Sequence, residues 1–233
     1  MHLYRFFFYM LMVLSELAYA TDACAPVGEF SSDENGEAQA SFEAGTRQDS
    51  KHSDPKQLAE AVRHYRMAAV KSHVAAQFHL GLMCFQGIGI SPSKEAGVFW
   101  YQEAASRGSA EAQVNLAYLY NTGDTVPRNS RKAFSLYKMA TSKAHPVALH
   151  SVGFMLANGI GTERDEVAAI SCYEQAAALG YPESQNNLGV MYKKGRGVQM
   201  DLHKARSWYE KAAVQGYSDA ENSLGEFMAP ARA

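Results

Sequence analysis

The sequence predicts an all-α fold, a right-handed superhelical solenoid of five 36-residue helical hairpins. Three observations carry this expectation. Tyr65, Tyr101, Tyr137, Tyr173 and Tyr209 recur every 36 residues. An alanine follows each tyrosine by three (Ala68, Ala104, Ala140, Ala176, Ala212), and a small residue by sixteen (Gly81, Ala117, Gly153, Gly189, Gly225). Inside a unit the apolar residues fall at helical spacing. Ala205, Trp208, Tyr209, Ala212 and Ala213 lie at i, i+3, i+4, i+7 and i+8 and form one stripe on a first helix.

Residues 1–20 read as a cleavable export signal: Arg5, then an apolar run from Phe6 to Leu14, then Ala18-Tyr19-Ala20. That run is too short to cross about 30 Å of hydrocarbon. Thr21 and Asp22 ahead of Cys24 disfavour a lipid on that cysteine. Residues 21–54 carry eight acidic residues against Arg47 and Lys51 and few apolar ones, so most of this leader is expected to be mobile. A short helix over 39–48 is expected to turn Phe42 and Ala44 inward. The leader's negative charge is expected to fold back on the basic end of the array and compete with a ligand.

The repeats are placed at about 58–93, 94–129, 130–165, 166–201 and 202–229, with 230–233 as a tail. Gly108, Gly180 and Gly216 sit where a left-handed C-cap ends a first helix. Pro146 and Pro182 fall in the first turn of second helices, where a missing N–H costs nothing. Gly87, Gly123, Gly159 and Gly195 close the second helices, and a further glycine often follows by two. The small residues let two helix backbones approach, with Tyr or Leu filling the space beside them. One hairpin leaves an apolar face uncovered, so the units must stack.

The run from Ala205 to Ala220 (ARSWYEKAAVQGYSDA), together with Asn187 to Val198 (NLGVMYKKGRGV), resembles the Sel-1-like repeat, a 36-residue relative of the tetratricopeptide repeat. The resemblance covers about residues 55–229. The third unit departs from the pattern at Thr141, Ala144 and Leu149, and the second at Thr125. The resemblance implies adaptor roles in envelope assembly, signalling or host interaction. Some cysteine-rich exported relatives have been described as β-lactamases or penicillin binders, and relatives of that kind staple each helical pair.

The residues themselves argue against chemistry. A net charge of −2 argues against gripping nucleic acid over the whole surface. The Gly-x-Gly pairs follow helices and recur with the repeat, unlike phosphate loops, which follow strands. Ser91 and Lys94 match S-x-x-K, but its companion motifs are absent, and Ser91 reads as an N-cap with Pro92 at the first helical position. No histidine pair has zinc-ligand spacing; His64 shares the register of Trp100 and is expected to pack. Cys84 and Cys172 lie in core registers and read as small buried apolar residues. At 88 residues apart they are too far to pair. Cys24 is expected to be free or to link two chains. No catalytic residue, metal or cofactor is expected.

By analogy with the tetratricopeptide fold, positions two before and one or two after each tyrosine face the concave side. Arg63, Arg66 and Met67 occupy them in the first unit, and Phe99 and Gln102 in the second. Lys138 and Met139 follow in the third, Glu174 in the fourth and Glu210 in the fifth. They vary while the core positions repeat, so packing does not dictate them. Such a groove suits a protein or peptide partner. The expectation is an exported, non-enzymatic scaffold with no membrane span, periplasmic or secreted in a bacterium and in the secretory lumen of a eukaryote. A homo-oligomer through the uncapped last repeat is also open. The rival readings are a β-lactam-binding enzyme and an accessory subunit of an envelope machine.

Overall fold

The computed structural model describes residues 24–25, 36–49 and 54–228. The expected export signal, most of the leader outside 36–49 and the tail lie outside the described residues. Every element among them is helical: α1 (Glu37–Asp49), α2 (Pro55–Ala69), α3 (Val74–Gln86), α4 (Lys94–Ser106), α5 (Ala110–Thr122), α6 (Ser130–Thr141), α7 (Pro146–Asn158), α8 (Glu166–Ala178), α9 (Pro182–Lys194), α10 (Leu202–Ala213) and α11 (Ser218–Met228). The helices fall at the expected hairpin spacing. The chain divides within α5 into two compact units, one through Ala112 and one from Gln113.

In the first unit α1 packs against α2, longer than the expected helix over 39–48. Gly45 lies against the Tyr65 ring, where a Cβ would meet ring carbons at 2.8 Å. Gly81 of α3 meets Tyr101 of α4 in the same way, at 2.9 Å. Gly45 is one 36-residue step before Gly81, so α1 holds the register of a second helix ahead of α2. Phe42 fixes it further, stacking on His73 with centroids 4.5 Å apart, while Glu37 pairs with Lys71. Ala44 is half-buried.

Starts and stops follow capping chemistry. The Asp54 carboxylate accepts from the Lys56 N–H at 2.9 Å, with Pro55 in the first turn of α2. Helix α3 ends at Gly87, whose φ of 75° is left-handed. The N-cap of α4 is Ser93, whose hydroxyl accepts from the Ala96 N–H at 3.2 Å. This corrects the expectation for Ser91: Ser91 and Pro92 belong to the loop, and the helix starts one residue after Ser93.

The cysteines need a larger correction. Cys24 and Cys84 form a disulfide, with Cα atoms 5.7 Å apart. Cys24 is neither free nor a link between chains, and Cys84 is not simply an apolar core residue. The bond spans a sequence separation of 60. The chain-entropy model gives a loop of that size about 4 kcal/mol of stabilisation. Both residues are buried in one cluster with Tyr65, Leu80 and Trp100. Cys172 is a free thiol, raised in pKa by burial, with Asp165 adding to the effect.

In the second unit Asn129, Asp165 and Asp201 cap α6, α8 and α10 through side-chain oxygens. Three contacts tie the hairpins of this unit together. The Gln185 amide donates to the Ala177 carbonyl at 3.3 Å, closing the α8–α9 hairpin. Arg196 donates Nε to Glu166 at 2.6 Å and Nη2 to the Ala157 carbonyl at 2.9 Å. Gly161, with φ 68°, brings its backbone onto the start of α6; a Cβ there would lie 2.2 Å from the Ser130 carbonyl oxygen. The expected departure at Ala144 is real: it takes the left-handed turn position with φ 52°, a conformation that costs an L-residue about 1–2 kcal/mol.

In both units the second helix of one hairpin packs more extensively on the first helix of the next than on its own partner. The pairs α3·α4 and α9·α10 exceed α2·α3 and α8·α9. The glycine–tyrosine seams explain this, because removing the Cβ lets a whole aromatic ring lie flat on the neighbouring backbone. At the α9·α10 seam a Cβ on Gly189 would stand 2.6 Å from Tyr209.

Candidate partner-binding faces

The candidate residues lie on first helices, one step around from the tyrosine seams. In the first unit Arg63 and Met67 on α2 and Gln102 on α4 are exposed, Met67 at 54%. Arg66 and Phe99 are half-buried. Arg66 donates Nη1 to the Ala25 carbonyl at 3.2 Å. Phe99 packs on the cluster that contains Cys24 and sets its ring edge-on to Trp100 at 5.1 Å. The α2–α4 face of this unit is therefore partly engaged by the chain's own N-terminal segment. Of the leader, Cys24 and Ala25 are held on this unit by the disulfide and by side-chain donors to their carbonyls, and Glu37 pairs with Lys71.

In the second unit Lys138, Met139, Glu174 and Glu210 are all exposed, Met139 at 48%. Glu210 pairs with Arg206 at 2.9 Å along α10. Lys211 lies 3.8 Å over the Trp208 ring, an amphipathic patch beside Glu210. Helix α6 thus offers a cation next to an apolar thioether, while α8 and α10 offer carboxylates. Such a face suits complementary polar contacts around one apolar anchor.

The same unit holds a serine–histidine contact that sequence reasoning did not single out. His150 Nδ1 lies 2.9 Å from Ser184 Oγ, with Tyr173 and Tyr181 rings beside the imidazole. Ser184 is fully buried, so no substrate reaches it. Burial holds His150 below the ordinary histidine range, and Glu183 opposes the effect. Burial also pushes Tyr173 up to about 12. Neither group is set up to exchange protons with solvent. Ser91 lies outside helix α4, so it does not share a helical turn with Lys94 as an S-x-x-K pair requires. Among the described residues no group of three or more His, Cys, Asp or Glu is placed to hold a metal, and no helix is long and apolar enough to cross a membrane.

Two signals went unused in the sequence. Gly45 stands in register with Gly81 and marks α1 as part of the array. Cys24 has no periodic counterpart, so nothing in the repeat pattern points to its partner.

Helical hairpins repeated every 36 residues define an α-helical repeat protein. The chain belongs to the Sel1 repeat family, whose model matches residues 45–72, 74–109, 110–145, 146–181 and 182–217. These matches keep the 36-residue period but begin each repeat with a second helix, and the first of them starts inside α1. Similar solved structures include a protective antigen of uropathogenic Escherichia coli displaying an SLR fold. It is 30% identical, with a TM-score of 0.76, over 86% of this chain and 44% of that one. A Sel1 repeat protein from Oxalobacter formigenes is 31% identical with a TM-score of 0.74, over 84% and 80% of the two chains. A Sel1 repeat protein from Klebsiella pneumoniae shares the fold at 16% identity and a TM-score of 0.51, over 84% and 95%. The chain thus spans less than half the length of the E. coli antigen. Among curated proteins none matches the chain significantly. Sel1 repeats generally mediate protein–protein interaction and are typically non-catalytic scaffolds.

Proposed function

We propose that this protein is an exported, non-enzymatic scaffold that binds a peptide or protein partner on the first-helix face of its second unit, centred on Lys138, Met139, Glu174 and Glu210. The observation that carries the reading is the exposure of Met139 at 48% beside Lys138, at a position where the core pattern demands nothing. An exposed apolar side chain beside polar ones is the usual composition of a small docking anchor. Export is supported by the Cys24–Cys84 bond, since such bonds persist in oxidising compartments and are rare in the cytosol. The remaining exposed candidates, Arg63, Met67 and Gln102, occupy the equivalent first-helix positions in the first unit.

A photo-crosslinking side chain placed at Met139 tests the reading, with the same side chain at exposed Val167 as control. A discrete adduct is expected in cells from position 139 and not from 167. Glu174→Lys with Lys138→Glu is expected to reduce it at least tenfold while the far-UV circular dichroism spectrum is unchanged. Equal labelling from both positions, or an adduct indifferent to the charge reversals, refutes the assignment.

A further inference from the structure

Trp100 is wholly buried, yet its indole N–H, which can only donate, is directed at a main-chain carbonyl: Nε1 donates to Cys24 O at 3.1 Å. Arg66 Nη1 donates to the next carbonyl, Ala25 O, at 3.2 Å. The two donors come from different helices, α4 and α2, and take successive carbonyls of one short segment. Neither contact reads a side chain. A residue-specific anchor is sulfur, through the bond to Cys84 on α3. Cys24 is 5% exposed at this place, and Phe99 packs on the same cluster against Trp100. Three helices thus converge on a stretch of backbone that belongs to no helix.

We propose that Arg66, Trp100 and Cys84 form a docking site for peptide main chain, that its resident ligand is the chain's own N-terminal segment at Cys24–Ala25, and that the Cys24–Cys84 bond is the latch that keeps a competing peptide out. Tethering makes the resident an intramolecular ligand, which outcompetes free peptide at any ordinary concentration. With the bond absent the segment exchanges, and the site accepts carbonyl-bearing backbone of another chain. The site lies in the first unit and stands independently of the partner face assigned to the second.

The test uses the full chain with Trp208→Phe, which leaves Trp100 as the single tryptophan. With the bond intact, Trp100 emission is expected to be blue-shifted and protected from acrylamide. Cys24→Ser is expected to shift the emission to the red and to raise the quenching constant at least threefold, with helix content unchanged. A capped peptide copying residues 21–30 with serine at position 24, added at millimolar concentration, is expected to restore protection in the Cys24→Ser protein and to have no effect on the bonded one. As a second measurement, Arg66→Met in the bonded protein is expected to speed reduction of Cys24–Cys84 by dithiothreitol at least threefold. That reaction passes two electrons and two protons from the dithiol to the cystine and leaves a cyclic disulfide. Trp100 still protected after Cys24→Ser overturns the latch. Helix content lost on Cys24→Ser makes the bond a fold staple and overturns it too. Peptide without effect on exposed Trp100 overturns the docking site.

Discussion

Gly189 and Gly225 occupy the same register, yet alanine should act on them in opposite directions. An ideal Cβ on Gly189 stands 2.6 and 2.7 Å from two carbons of the Tyr209 ring, against 3.4–4 Å for ordinary contact. The ring must retreat by about 1 Å, and it is almost wholly enclosed, at 1% exposure. Overpacking of this kind costs about 1–3 kcal/mol. The helix gains about 1 kcal/mol when alanine replaces glycine in its interior. Gly189→Ala is therefore expected to destabilise by up to about 2 kcal/mol. Gly225 has no atom within 4 Å of the same ideal Cβ, so Gly225→Ala keeps the gain and should stabilise by up to about 1 kcal/mol. Urea unfolding followed by far-UV circular dichroism measures both, with equal m-values as the condition for comparison. In a Tyr209→Leu background the Gly189→Ala penalty should shrink, because the obstructing ring is gone. If the two alanines shift the midpoint the same way, or the penalty survives Tyr209→Leu, the seam is not what the glycine serves.

Two other outcomes follow from the second unit. Ala144→Gly should raise stability by about 0.5–1 kcal/mol, since glycine takes the left-handed φ at little cost while loosening the unfolded chain slightly; the urea midpoint reads it. His150 is neutral in the fold and held below its ordinary value of 6.5, so the unfolded chain binds the proton first as pH falls. Stability is complete above about pH 6.5 and is lost below it. His150→Gln should show a smaller drop in unfolding midpoint between pH 7 and pH 5 than the unmodified chain does.

The period and the helical stripes were legible because repetition makes each core position visible five times over. Tyr65 through Tyr209 need no structure to be read as packing residues, and the glycine loops announce the helix ends. Ser93 was missed as a cap because Pro92 made Ser91 look like the better candidate; two serines two residues apart are separable only by geometry. Helix α1 was legible in length and missed in meaning, since acidic composition masked the one residue, Gly45, that keeps the register. The exposed candidate residues could be placed on a face from spacing alone. Engagement of Arg66 and Trp100 by the N-terminal segment could not, because a disulfide is a long-range contact that obeys no local period. The Ser184–His150 contact was hidden for a related reason: its partners are 34 residues apart and differ from their counterparts in other units.

The seams also decide where the array can be divided. Because α3, α7 and α9 lean harder on their successors than on their own hairpin mates, the natural brick begins at a second helix and ends after the next first helix. Shortening the protein by deleting 74–109 or 182–217 would excise one complete brick and let the flanking surfaces meet. Deleting 94–129 would instead split two bricks and force Gly81 to pair with Tyr137, which belongs to a different seam. An engineer wishing to lengthen the array should splice at the hairpin turns, not at the glycine loops.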